Sequence, residues 1–565
     1  MSLLGRLSCL AVALLSAAYS AYALVQYRNA WCLCRSRLVV PRAVQLFHTH
    51  LIRNSFLRTA AIVHYFHVAK GASATPPAPA TESAAAAAEV AHEGTPSDHP
   101  PDGAATPPRP PTCPVAFVDR EAFDANVRAV GALLLSQHKH IRLSTKGVRC
   151  PELLERAAAL LERLAHPCPD YDLVSPEKSF VPGLLTVTAR ETLLWARRGT
   201  FSSLLLGTPV VDAASAAFYV EAMTLNNQSK VRCQVVVDAV EQLQLLWAAA
   251  KAWIADRGYT RLGFDNAVES LQFNLLLLVD VSFQPPWAQQ RRGETPHALR
   301  TPPDVMQFCA AVEDFNAQVE REKMPVGVKF IVRGMWTHEC GQLSHVDTAP
   351  VVVPSATCVV PARWLLRYPL LQLYKQHVSK NVSMRRRLVL HWCGYKKQVM
   401  PDNIIVGGGS SASLMWSAHD DTLNEVCVGA GLLCGHKQDR YVDSIFRPAL
   451  YFALTVTRVA SQEMCVCAGF GESVSPAAAA VYPPQLQRAH RTGECVDDDV
   501  EIGVRILSKT TEDERPVGVG EPVVFRPSHS GALAELVDAF LLVTEEGEVA
   551  ANMHTYRGMK WNIWA

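Results

Sequence analysis

Between about residue 112 and residue 442 the chain alternates short, wholly apolar runs with longer stretches of helical spacing, and few architectures satisfy that alternation. The runs include Ile141-Arg142-Leu143-Ser144-Thr145, Ser203 to Gly207, Cys233 to Asp238, Leu275 to Asp280, Val328 to Val332 and Ile404-Ile405-Val406. Most are continuous rather than alternating, as expected of parallel strands covered on both faces. The intervals behave as helices: Phe123, Val127, Val130, Leu133 and Leu134 recur at helical spacing, and Pro151 opens the next such segment, where its missing N–H costs nothing. With Ala116 to Asp119, Thr186 to Thr188 and Leu388 to Leu390 also read as strands, about eight βα units result, the count of a TIM-type barrel. The alternative is an open doubly wound sheet, which is weakened because no GxGxxG follows the first strand.

From Asp443 the texture changes. Ala449 to Val456, Met464 to Cys467, Glu501 to Ile506, Pro522 to Phe525 and Phe540 to Val543 are short β-rich pieces, and the helical intervals largely disappear. Residues 443–565 therefore read as a second, mainly antiparallel β domain. With 565 residues, 49% of them hydrophobic and 19% charged, the chain can bury a large core, and its net charge of +1 calls for no nucleic-acid partner. The 16 cysteines are scattered, and neither Cys32/Cys34 nor Cys465/Cys467 has a second pair at zinc-site distance. They read as reduced thiols.

The N-terminus has its own character. No charge occurs between Arg6 and Arg28, and about twenty apolar residues suffice to span a bilayer, so residues 1–30 read as a hydrophobic leader. No Asp or Glu precedes Glu82, whereas Arg28, Arg35, Arg37, Arg42, Arg53, Arg58 and Lys70 do. A membrane anchor with the body held on the cytosolic side by these positive charges is the first expectation. Mitochondrial import and a secretory signal ending near Ala21-Tyr22-Ala23 are the alternatives. Residues 31–111, basic and then rich in Ala and Pro, read as a disordered linker.

Two features carry chemistry. Lys146 follows the strand 141–145, and in a barrel the residues at the C-terminal strand ends form the active site. Partial desolvation there would lower an amine's pKa and free it as a nucleophile, although a strand-end lysine taken alone is usually a solvated one. Gly407-Gly408-Gly409-Ser410-Ser411 follows a late strand, where glycine N–H groups and serine hydroxyls can hold a phosphate.

Several segments resemble the fold-type III pyridoxal-phosphate (PLP) enzymes. They are Phe117 to Asn126, Arg142 to Cys150 around Lys146, Leu277-Leu278-Val279-Asp280, Val406 to Ser410 and Asn424-Glu425-Val426-Cys427-Val428-Gly429. Phe525 to Gly531 and Thr555-Tyr556-Arg557-Gly558 are similar to the C-terminal β domain of the D-threonine aldolase and D-serine dehydratase group. The resemblance covers roughly residues 114–565. It implies an alanine-racemase-like barrel (112–442) joined to a β domain, with PLP on Lys146 and its phosphate on Gly407, Gly408, Gly409 and Ser410. In that group a His and, two residues on, a Cys or Asp often hold a divalent metal. Here His529 is followed by Ser530 and Gly531, so no metal is expected, and His529 is read as a catalytic or cofactor-contacting residue.

The activity implied is that of a PLP-dependent lyase acting on a D-amino or hydroxy-amino acid. A racemase, with Tyr556 as the second base, or a PLP-binding protein with altered catalysis are the alternatives. A small amino acid is the expected partner, with a homodimer and membrane association through the leader by analogy. Gln289-Gln290-Arg291-Arg292-Gly293 could clamp a substrate carboxylate, whereas Arg385-Arg386-Arg387 reads as a solvated strand entrance.

Overall fold

A computed structural model describes residues 114–165, 182–229, 232–257, 270–282, 299–338, 379–391, 404–436, 438, 444–461, 464–468, 479–482, 486–488, 501–506 and 518–564. The leader, the linker and the 289–293 segment lie outside them.

Eight parallel strands close into a barrel: β2 (His140–Ser144), β3 (Gly183–Thr186), β4 (Ser203–Leu206), β5 (Arg232–Val237), β6 (Ser270–Asp280), β7 (Gly327–His338), β8 (Ile405–Gly408) and β9 (Glu425–Val428). Pairing of β9 with β2, His140 opposite Glu425 through Leu143 opposite Val428, shuts the ring. The closed ring excludes the open doubly wound sheet. Around it lie α1 (Arg120–Ser136), α2 (Pro151–Ala165), α3 (Ala189–Arg198), α4 (Ala213–Ser229), α5 (Val240–Asp256) and α6 (Pro302–Arg321). Their local logic is plain. The Asp119 carboxylate accepts the Ala122 N–H to cap α1, Thr188 caps α3, and Gly199 ends α3 in the left-handed region at φ 71°. α1 turns Phe123, Val127, Val130 and Leu134, all fully buried, toward the core.

The second layer is a nine-stranded mixed sheet built from β1 (Val115–Asp119) and the strands after the barrel: β10 (Leu450–Ser461), β11 (Met464–Ala468), β12 (Ala479–Tyr482), β13 (Leu486–Arg488), β14 (Glu501–Ile506), β15 (Pro522–Arg526), β16 (Ala539–Val543) and β17 (Val549–His554). Its order is β13-β14-β11-β10-β1-β16-β17, with β15 bridging β10 and β12. Among the described residues of this sheet only the β1–β16 pairing is parallel. The mainly antiparallel β domain is thus present, and it includes the strand at 115–119 that the alternation alone assigns to the barrel series. Cys465 and Cys467 are free thiols, both fully buried on β11.

Two expectations are corrected. The segment 379–391 is a helix, α7, not a strand, and of its three arginines Arg385 and Arg387 are solvated as expected whereas Arg386 is buried. Val382, Arg386, Val389 and Leu390 are its buried stripe. Arg386 bonds Thr337 Oγ1 at 3.0 Å and Asp420 Oδ2 at 2.5 Å, and Arg387 pairs with Asp421. The membrane anchor is also not carried forward: among the described residues no helix is long and apolar enough to cross a membrane. The leader on which that expectation rests lies outside them.

The barrel interior is layered. Toward the N-terminal end the buried Arg142 guanidinium pairs with Glu425 and bonds Gln234 Oε1 at 3.1 Å and Ser203 Oγ at 3.2 Å. Above it Leu205, Val236, Leu276, Leu278, Trp336 and Cys427 form an apolar layer. That layer separates the buried charge pair from the mouth.

Candidate active site

Lys146 sits on a single 3₁₀ turn, Thr145–Gly147, immediately beyond β2. Its side chain is exposed, which corrects the expected desolvation. The reason is local: the strand's last barrel pairing is at Ser144, so Lys146 lies past the packed interior. The backbone of the turn is the opposite, closely held on two sides. A Cβ at Gly147 would run into the backbone of Ala430, at the start of α8 (Ala430–Leu433), leaving room only for glycine. A Cβ at Gly531 would run into the Lys146 carbonyl oxygen, and the Ser530 hydroxyl donates to the Gly147 carbonyl at 2.5 Å.

Ser530 and Gly531 open α9 (Ser530–Ala534), for which His529 is the N-cap residue. The segment ahead of it crosses the end of α8. His436 N–H donates to Pro527 O at 2.8 Å, and Arg526 Nη2 donates to Cys434 O at 3.0 Å. His529 is exposed there. The β domain thereby delivers its histidine beside the lysine turn, across about 380 residues of sequence.

The glycine-rich loop joins the same place. Gly407 and Gly408 end β8, Gly407 is packed so closely on the Trp336 indole that a side chain would overlap it, and Gly409 turns the chain at φ 79°. Ser410 is exposed, and its N–H is accepted by Ser413 Oγ at 3.0 Å. Ser411 Oγ accepts the N–H groups of Gly431 at 2.9 Å and Gly429 at 3.2 Å. The loop after β8 and the loop after β9 are therefore hydrogen-bonded to each other. A Cβ at Gly429 would lie 2.6 Å from Ser144 O, which brings both loops against the end of β2.

Lys146, His529 and the Gly407–Ser410 loop, taken from the sequence separately, are thus parts of one assembly. Sequence reasoning placed Ser411 in the loop but missed its bonds to Gly429 and Gly431, and it missed Gly429 as a packing position and the tie from Ser530 to Gly147. It also missed the meaning of Glu191: Thr188-Ala189-Arg190-Glu191 has the spacing of a capping box, which hides a buried acid behind a capping role. Tyr556, the second base of the racemase alternative, does not lie open at the mouth. It is buried, and its phenol donates to Glu191 Oε1 at 2.6 Å, with burial pushing it well above its ordinary range.

No protein family matches the sequence, and no curated protein matches it. Solved structures do match. The D-threonine aldolase from Filomicrobium marinum superposes over 79% of this chain and 95% of its own, with a TM-score of 0.54 at 17% identity. The D-threo-3-hydroxyaspartate dehydratase from Delftia sp. HT23 covers 79% of this chain and 97% of its own, with a TM-score of 0.51 at 13% identity. The fold is that of the fold-type III enzymes. At such identities the likeness speaks for the fold-type III architecture and not for a reaction.

Among the described residues no three His, Cys, Asp or Glu side chains come together as metal ligands. Gly531 abuts the Lys146 carbonyl, and the Ser530 hydroxyl is committed to Gly147.

Proposed function

We propose that the chain is a PLP-dependent lyase acting on a small D-configured β-hydroxy amino acid, by aldol cleavage or dehydration. The observation that carries this reading is the convergence of three distant segments, the Lys146 turn, the Gly407–Ser411 loop and the Ser528–Gly531 segment, within one fold-type III barrel. The solved relatives of matching fold, an aldolase and a dehydratase of hydroxy-amino acids by name, support it.

The residues fit the cofactor. Lys146 offers an exposed amine. Gly409 holds a left-handed turn, and Gly429 packs on Ser144 where only glycine fits, so both loops reach the end of β2 beside the lysine turn. Gly407, Gly408, Gly409 and Ser410 would hold the phosphate, with Ser411 beside them, and Lys146 would hold the aldehyde carbon. PLP, when bound, draws electrons away from the α-carbon of an attached amino acid.

The rest falls to the protein. The Lys146 amine, once freed by substrate, takes or returns a proton at the α-carbon. His529, on the facing segment, takes the β-hydroxyl proton as the Cα–Cβ bond breaks, or protonates that hydroxyl as it departs. Ser530 and Gly531 follow His529, and in this reading the imidazole itself manages this proton. Racemization through Tyr556 is left out, since that phenol is buried against Glu191.

The test is the absorbance spectrum of the full chain with PLP, before and after borohydride, for wild type and Lys146→Ala. A visible band that borohydride fixes onto the chain, and that Lys146→Ala loses, is expected. D-Threonine and D-serine then separate the outcomes: an aldehyde with glycine marks cleavage, ammonia with a keto acid marks dehydration. A spectrum identical for the two proteins sinks the assignment.

A further inference from the structure

One buried group at this site takes no part in the chemistry above. Glu191, on α3, is completely buried, and its Oε2 accepts the Val187 N–H at 2.6 Å. Its other oxygen accepts the phenol of Tyr556, which in turn accepts the Trp195 indole N–H at 2.9 Å. Tyr556 comes from the stretch after β17, and Trp561 of the same stretch stacks edge-on against Trp195 at 5.6 Å. Burial pushes both acids up, so Tyr556 keeps its proton and stays a donor.

This pair touches the lysine turn at both ends. The Tyr556 N–H donates to the Arg149 carbonyl at 2.9 Å. Thr145 is completely buried, with its hydroxyl against both the Glu191 carboxyl and the Tyr556 phenol, short of an aligned hydrogen bond to either. Arg149 holds a left-handed φ of 48°, a conformation that a non-glycine residue keeps only when its surroundings impose it. Its guanidinium is tied to Glu535 and lies 5.6 Å from the Trp564 ring. Lys146 itself is exposed, so its own side-chain contacts do not fix the backbone from which its amine extends. A buried, directional carboxyl–phenol contact specifies one arrangement where apolar packing would tolerate several.

We propose that Glu191 and Tyr556 are positioning residues for Lys146, clamping Thr145 and Arg149 on either side of it so that the stretch after β17 sets the root of the lysine. The proposal deepens the reading of Lys146 as the cofactor lysine and rests on it for its relevance to the reaction.

The test uses the full chain and two variants. Tyr556→Phe keeps the ring and removes the hydroxyl. Thr555→Val removes the neighbouring buried bond from Thr555 Oγ1 to Val537 O, which does not touch the turn, and serves as a control of comparable destabilisation. The first readout needs no cofactor: hydrogen exchange of the Val148 and Arg149 amides, both donors to the Thr145 carbonyl at 2.9 Å. Tyr556→Phe should speed their exchange about tenfold, roughly the factor set by one lost hydrogen bond. Thr555→Val should change it less than about twofold. The second readout is the fraction of PLP that borohydride fixes on Lys146, expected to fall in Tyr556→Phe and hold in Thr555→Val. Wild-type exchange in Tyr556→Phe, or equal effects in the two variants, overturns the clamp. If wild type captures no PLP, the cofactor reading falls, and the exchange rates still decide the clamp by themselves.

Discussion

Replacing Gly429 by alanine should damage stability and cofactor capture together. A Cβ there would lie 2.6 Å from Ser144 O and 2.9 Å from Ser144 Cβ, whereas real Cβ contacts essentially never fall under 3.0 Å. The ends of β9 and β2 must therefore part by at least the 0.4 Å difference. Those strands are paired through Leu143 and Val428, and the ring is closed, so no free edge absorbs the shift. Overpacking of this kind costs about 1–3 kcal/mol. Because β2 runs directly into the Lys146 turn, the displacement falls on the lysine's own backbone, and misplacement by ~1 Å can cost on the order of a hundredfold in rate. A shift under half that size should weaken PLP capture by about tenfold. Urea unfolding gives the first quantity and the borohydride-fixed PLP fraction gives the second. Gly199→Ala is the comparison: its φ of 71° resists alanine but nothing lies within 4 Å, so it should cost ~1–2 kcal/mol and leave PLP capture alone. Gly429→Ala stability within about 0.5 kcal/mol of wild type, the range of a neutral surface change, would refute the packing argument.

Three further outcomes are expected. Arg142→Met strands the Glu425 carboxylate inside the barrel and should cost about 3–5 kcal/mol, while Arg142→Met with Glu425→Gln should recover part of it; equal unfolding midpoints for the single and double variants would contradict this. Burial raises the Glu191 carboxyl, so its folded pKa exceeds the unfolded value near ~4.3, and the stability it contributes is lost as pH rises through the folded value. Glu191→Gln should then gain on wild type in urea midpoint as pH is raised from about 5 to about 8, and a gap that stays constant counts against it. Burial also pushes the Cys427 thiol up to about 12, so iodoacetamide at mildly alkaline pH should label it only after unfolding; rapid labelling of the native chain would show the interior layer to be open.

Most of the barrel was legible because its strands are apolar on both faces, and the sequence errors share one cause. Leu388 to Leu390 looked like a strand because Arg386 interrupts what is in fact a helical stripe, Val382, Arg386, Val389 and Leu390. β9 was hidden because its first inward residue is Glu425. In both places a buried ion pair, Arg386 with Asp420 and Arg142 with Glu425, puts a charge where the pattern demands an apolar residue. The site divides in the same way. Lys146 and the glycine run announce themselves locally through strand ends and backbone freedom. Tyr556 and Glu191 do not, since their partnership spans 365 residues and each looks ordinary among its sequence neighbours.

The place of β1 has a consequence for how the chain must be assembled. Val115 to Asp119 is hydrogen-bonded between β10 and β16, more than 300 residues further along, so the barrel is in effect an insertion within the sheet. Contacts so distant in sequence are slow to form, and the sheet cannot be finished until the barrel has brought its two ends back together. During synthesis β1 must wait unpaired while everything between is made. A fragment beginning near residue 443 would lack its middle strand and expose two raw edges, each a template for association with another chain. Where this protein is divided into pieces for study, the first strand belongs with the last ones.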